Sequence, residues 1–172
     1  MRKITLGLAV TLDGYIEGPN GEYDWCFADQ DYGMTDFMES VDAIFYGRKS
    51  FEMAGGNIYP EKKSYVFSNT LKAAPEGAEL VSGDVVRAVK EIKQQPGKDI
   101  WLFGGASLTT AFINANLVDE LWLSIHPILL GSGKLLFQDI QGRKHFQLQK
   151  TKQYETGLVS LWYTRAEQNA KK

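Results

Sequence analysis

Cysteine is almost absent: Cys26 is the one thiol in 172 residues, so no internal disulfide and no thiolate zinc cluster can form. Histidine is nearly as scarce. His126 and His145 lie far apart and lack His-Glu-Xaa-Xaa-His spacing, so no metal site is expected. Neither sign of charge dominates, because 19 Lys and Arg face 21 Asp and Glu for a formal net charge of −2. A nucleic-acid backbone finds no basic field here and is not expected as a partner. No apolar run approaches the ~18 residues of a membrane span, so no membrane is expected either. Arg2 and Lys3 precede an apolar stretch, but Thr5 and Gly7 interrupt it and Asp13 ends it without a cleavage site. That stretch reads as a strand rather than a signal peptide, and the expected location is cytoplasmic.

Five prolines are scattered as loop punctuation, and no repeat or low-complexity linker divides the chain. Hydrophobic residues make up 44% and charged residues 23%, enough apolar surface to offset the entropy of ordering. One domain is expected over residues 1–166, followed by a polar tail at 167–172.

Ile4 to Val10 reads as a strand buried on both faces, followed by a long loop from Thr11 to Asp24 with a Pro-Asn-Gly turn. Met34, Phe37, Met38 and Val41 recur at helical spacing and predict a short helix with one buried stripe. Ala43–Tyr46, Ser64–Ser68 and Ile100–Phe103 predict inner strands. Val85, Val89 and Ile92 predict a helix capped by Asp84 and stopped by Pro96-Gly97, and Leu108, Ala111, Phe112 and Ala115 predict another capped by Ser107. Leu121–Leu130 is a long β-prone run, while Phe146–Lys150 and Leu158–Tyr163 flank a Glu-Thr-Gly turn as a closing hairpin. Strands alternating with helices, then strands alone, give an α/β fold: a mixed, mainly parallel sheet with an antiparallel C-terminal hairpin and helices on both faces.

Ligands of open α/β sheets sit beyond the carboxyl ends of the strands. Two strand exits qualify. At Gly47-Arg48-Lys49-Ser50 a strand gives way to a glycine, two cations and a hydroxyl, a set that can hold phosphate. At Gly104-Gly105-Ala106-Ser107 absent side chains let a ligand approach backbone donors at a helix start. Two anion-grade exits suit a dinucleotide. Gly105 to Thr109 lacks the closing glycine of a nucleophile elbow, and Gly131-Ser132-Gly133-Lys134 is followed by Leu135 rather than the Ser or Thr of a phosphate loop. His126, at the end of a buried strand, and Cys26, between Trp25 and Phe27, read as packed residues. Asp24, Asp29, Asp31 and Asp36 read as turn or cap residues, with an acid among them left open.

Thr11–Ile16, Asp24-Trp25, Gly47–Glu52, Phe103–Leu108 and Pro127–Gly133, in that order, resemble the dihydrofolate reductase-like superfamily. The similarity is greatest to the C-terminal reductase domain of bacterial riboflavin-biosynthesis proteins and its stand-alone relatives. The resemblance implies a sheet of about eight strands, NADPH across the strand ends, and hydride transfer to a small heterocycle or ribosylamino-pyrimidine. It places Gly47, Arg48, Lys49 and Ser50 at the cofactor phosphates, and Gly104, Gly105, Ala106, Ser107 and Leu108 at the pyrophosphate. It also places Ser68 at the adenosine ribose phosphate, and Ala9, Val10 and Ile16 around the nicotinamide. By analogy with the carboxylate of folate reductases, the catalytic acid is Asp31 by distance from Trp25 or Asp36 by helical register. Phe103 stands where the riboflavin enzymes commonly carry Glu. Dihydrofolate reduction is the alternative reaction, and a non-catalytic nucleotide-binding or assembly protein of the same fold is a further one. A homodimer through the late strands is expected from the same resemblance, beside a small-molecule substrate.

Overall fold

A computed structural model describes residues 1–166. Its centre is β1 (Ile4–Thr11), whose Ile4, Leu6 and Val10 are buried in the larger core cluster. Chain order then gives β2 (Tyr15–Glu17), α1 (Met34–Ser40), β3 (Val41–Gly47), α2 (Arg48–Met53), β4 (Lys63–Phe67), β5 (Ala78–Val81) and α3 (Val85–Gln94). These are followed by β6 (Asp99–Gly104), α4 (Ala106–Asn114), β7 (Glu120–His126), β8 (Lys134–Leu135), β9 (Phe146–Gln153) and β10 (Val159–Arg165). The main sheet runs β5-β4-β3-β6-β1-β7-β10-β9, parallel from β5 to β7 and antiparallel through the β9–β10 hairpin.

Helices cover both faces. Val89 and Ile92 of α3 and Phe112 and Ile113 of α4 pack with Leu6, Phe45, Tyr65 and Leu102 on one side. Phe37 and Met38 of α1 and Phe51 of α2 pack with Ile44, Tyr46, Val66 and Trp101 on the other. The α/β architecture is therefore the one expected, with its antiparallel closing hairpin. Asp84 caps α3 by accepting the Arg87 backbone N–H. Among the described residues no helix is long and apolar enough to cross a membrane.

Several local expectations give way. The loop after β1 contains β2, which pairs with β8 far along the chain. Val41 opens β3 instead of completing the α1 stripe, and Met34 is exposed. The N-cap of α4 is Gly105, with Ser107 inside its first turn. β7 stops at His126 because Pro127 has no N–H for a ladder. β5 was not evident in the sequence. The polar tail at 167–172 lies outside the described residues.

Candidate functional site

Parallel strands bring their carboxyl ends to one edge of the sheet, so Gly47, Gly104 and Thr11 line up at the tips of β3, β6 and β1. From β3 the chain continues through α2 to β4, and from β6 through α4 to β7, which lies on the other side of β1. Connections that leave neighbouring strands in opposite directions open a crevice between them. The two helix starts meet in it. A Cβ at Gly47 would lie 3.4 Å from the Gly105 nitrogen, 3.5 Å from the Gly104 oxygen and 3.7 Å from Leu108 Cβ. A Cβ at Gly105 would come within 2.9 Å of Ser50 Oγ. Gly104, at φ +118°, borders open space on the side where a Cβ would stand.

No side chain caps α2 or α4. The first N–H groups of a helix lack intrahelical partners, so these starts present donors to whatever occupies the crevice. Arg48 stands beside them, half-exposed and 4.0 Å from Glu52, a distance at which the ion pair costs little to exchange. Lys49 and Ser107 are exposed, Ser50 and Ala106 buried. Ser68 follows β4, next along the same edge, and its hydroxyl accepts from the Thr70 and Leu71 backbone N–H groups.

β1 and β6 pair only from Ile4–Ile100 to Leu6–Leu102, whereas β1 and β7 pair through to Thr11–His126. Beyond Leu6 the β6 flank of β1 is thus unpaired in the ladder, and Ala9 and Val10 lie on that stretch. Gly7 O is engaged there by Trp101 Nε1 at 2.8 Å. Ile16, on β2, packs against the larger core cluster.

The two aspartates belong to α1 and its approach, the helix whose Phe37 packs on Trp101 and Trp122 beside Gly7 of β1. Asp31 accepts from the Thr35 hydroxyl at 2.7 Å, the Thr35 N–H at 2.9 Å and the Gly33 N–H at 3.0 Å. Those donors, the Thr35 hydroxyl first, hold its carboxyl below the usual carboxylate range. It is an α1 cap that stays ionised. Asp36 is exposed in the first turn of α1.

Two contributors were not assigned a role from sequence. Asp13 accepts from Thr11 Oγ1 at 2.6 Å and from the Gly131 and Leu130 N–H groups at 2.8 and 3.2 Å, clamping two loops beside the β1 tip. Its carboxyl is lowered, chiefly by the Thr11 hydroxyl. An Asp-Gly after a strand signals a turn but not its remote partners. His126, buried at the tip of β7, accepts the Phe27 backbone N–H at 3.1 Å through Nε2 and contacts the Ser124 carbonyl at 2.9 Å through Nδ1. It is the packed, hydrogen-bonded histidine expected. Cys26 is likewise a packed thiol, pushed up to about 11 by burial and then by Asp24. Phe103 packs on Tyr46 and Trp101.

Comparison with known proteins finds the same fold and a family. The family described as RibD C-terminal domain matches residues 2–160. YyaP of Bacillus subtilis strain 168 is 46% identical, with 94% of each chain covered. A solved protein of Shewanella sp. PV-4, provisionally assigned to riboflavin biosynthesis, superposes with a TM-score of 0.85 at 28% identity, covering 97% of this chain and 100% of its own. Dihydrofolate reductase of Enterococcus faecalis, solved with NADP(H), shares the fold with a TM-score of 0.75 at 17% identity, covering 96% of this chain and 97% of its own.

Proposed function

Because the chain belongs to the RibD C-terminal domain family, we propose that it is an NADPH-dependent reductase that passes hydride to a small heterocycle or a ribosylamino-pyrimidine. One observation carries the reading: two uncapped, glycine-started helices abut at one crevice, beside a stretch of β1 left without a β6 partner. The residues fit the cofactor. Backbone N–H groups at Gly105–Leu108 and Gly47–Ser50 would hold its phosphates, with Arg48 supplying charge and Ser68 placed at the adenosine end. The open flank of β1 at Ala9 and Val10 can accept and donate to a carboxamide, with Ile16 closing that end. When bound, the dihydronicotinamide supplies the hydride, and the protein's work is to orient it, exclude water and admit a proton.

Of the two candidate acids, Asp36 is the one whose carboxylate is not committed to a cap. A carrier that binds the nucleotide without reducing anything is the second reading, favoured by the use of Asp31 as a helix cap. Titration with NADPH and NADH, followed by tryptophan fluorescence, tests the first. NADPH should bind, and Arg48→Ala should weaken it about tenfold and more than NADH, the cost of one charged hydrogen bond. No affinity for either nucleotide overturns the reading. Once a substrate turns over, Asp36→Asn should slow it; an unchanged rate removes Asp36 from the chemistry.

A further inference from the structure

The loop between β2 and α1 is aromatic; its far end is held by Tyr32 against Tyr154 and Thr156, and its Trp25–Phe27 segment by the imidazole of His126. Trp25 and Phe27 place their rings 5.3 and 5.0 Å from that of His126. The Ser124 carbonyl can only accept, so Nδ1 carries the proton; Nε2 is then the lone-pair nitrogen that the Phe27 N–H requires. The two contacts together fix one neutral tautomer. A second proton on Nε2 would set donor against donor, and the Phe27 bond would be lost.

We propose that His126 is a positioning residue: its neutral imidazole latches the Trp25–Phe27 segment over the tips of β7 and β1, and protonation releases it. The proposal rests on the reductase reading only for what the segment would cover, the substrate end that this reading puts near Ala9 and Val10. The latch is a property of the protein alone.

The surroundings of His126 leave the latch to the imidazole itself. From β1 the facing residue is Thr11, whose hydroxyl is committed to Asp13. On the loop the titratable groups are Glu22, Tyr23, Asp24, Cys26, Asp29, Asp31 and Tyr32; Asp29 accepts from the Tyr32 hydroxyl, Glu22 from the Asn20 N–H and Asp31 from the Thr35 hydroxyl. Glu155 lies in the β9–β10 turn and is exposed. Burial lowers the proton affinity of the ring, the Ser124 carbonyl opposes this, and burial is the larger. Neutral pH therefore finds the latch closed, and it opens as pH falls below the ordinary histidine range.

Hydrogen exchange of the Trp25–Phe27 peptide, corrected for intrinsic exchange and followed from pH 8 to pH 5 on the unliganded full chain, tests this directly. Protection should fall with a one-proton dependence as the imidazole charges. In His126→Phe, which keeps an aromatic ring but no acceptor, protection at pH 7.5 should drop about fivefold, the worth of one neutral hydrogen bond, and lose its pH dependence. In His126→Gln, whose amide oxygen can accept, protection should return and stay flat with pH. A flat wild-type profile, or a His126→Phe variant as protected as wild type, overturns the latch. Should His126→Phe fail to fold, the wild-type pH series decides alone. None of these measurements uses NADPH, so failure of the latch and failure of the reductase reading remain distinguishable.

Discussion

Gly133, at φ +132°, approaches β2 so closely that a Cβ there would press on the Glu17 carbonyl oxygen and lie 3.0 Å from Gly18 Cα. All the atoms it would meet first are backbone of Glu17 and Gly18, which leaves nothing flexible to yield. Gly133→Ala should therefore cost about 2–4 kcal/mol, read as a lower urea midpoint, with the strain of the left-handed region adding to the clash. Asp31 makes a subtler contribution. Its native carboxyl is more acidic than the ordinary value of 3.8, so it binds fewer protons folded than unfolded and stabilises the fold above that value. The benefit is lost as pH falls through the lower native value. Asp31→Asn should flatten the acid limb of a stability-against-pH curve while leaving its neutral plateau lower; an unchanged acid limb would remove the cap from the account. The Thr35 partner of Asp31 is not legible in the sequence, because an Asp two residues before a Gly reads equally well as a turn.

Elements with strong local signals were legible. α3 announces itself through Asp84, the Val85, Val89, Ile92 spacing and Pro96-Gly97, and β6 through an apolar run ending in two glycines. β5 was missed because four residues of alternating exposure carry almost no periodicity, and β2 because a three-residue strand exists only through β8. The same limit hid the Asp13 clamp, whose partners lie far along the chain. The tips at Gly47 and Gly104 were evident as strand exits, but their contact depends on β6 inserting between β3 and β1, which no local pattern records. That insertion crowds β1 on the α1 face. A Cβ at Gly7 would sit 3.2 Å from Trp101 Nε1 and 3.3 Å from both Phe37 Cζ and Trp122 Cε3. Gly7→Ala should cost about 1–2 kcal/mol in chemical denaturation, overpacking exceeding the entropy Ala saves.

At the scale of the molecule, one margin of the sheet is unguarded by helices. β9 is exposed along nearly its whole length, and its Lys150 and Lys152 discourage strand-to-strand addition. The expected homodimer would then use a face, where exposed Leu148 lies opposite Tyr163 and on the same side as half-buried Leu161 and Val159. Sedimentation velocity should find a dimer, and Leu148→Glu should return it to monomers; a wild-type monomer at tens of micromolar would dismiss the expectation. The centre of the strand order holds a different lesson. Where β1 parts from β6 above Leu6 and Leu102, the middle of the sheet has a notch. A guest amide seated there would supply rungs that the polypeptide itself omits. Occupancy would then knit the two halves of the sheet together, and slowed exchange should spread from Leu8–Val10 into the heart of the protein instead of stopping at its rim.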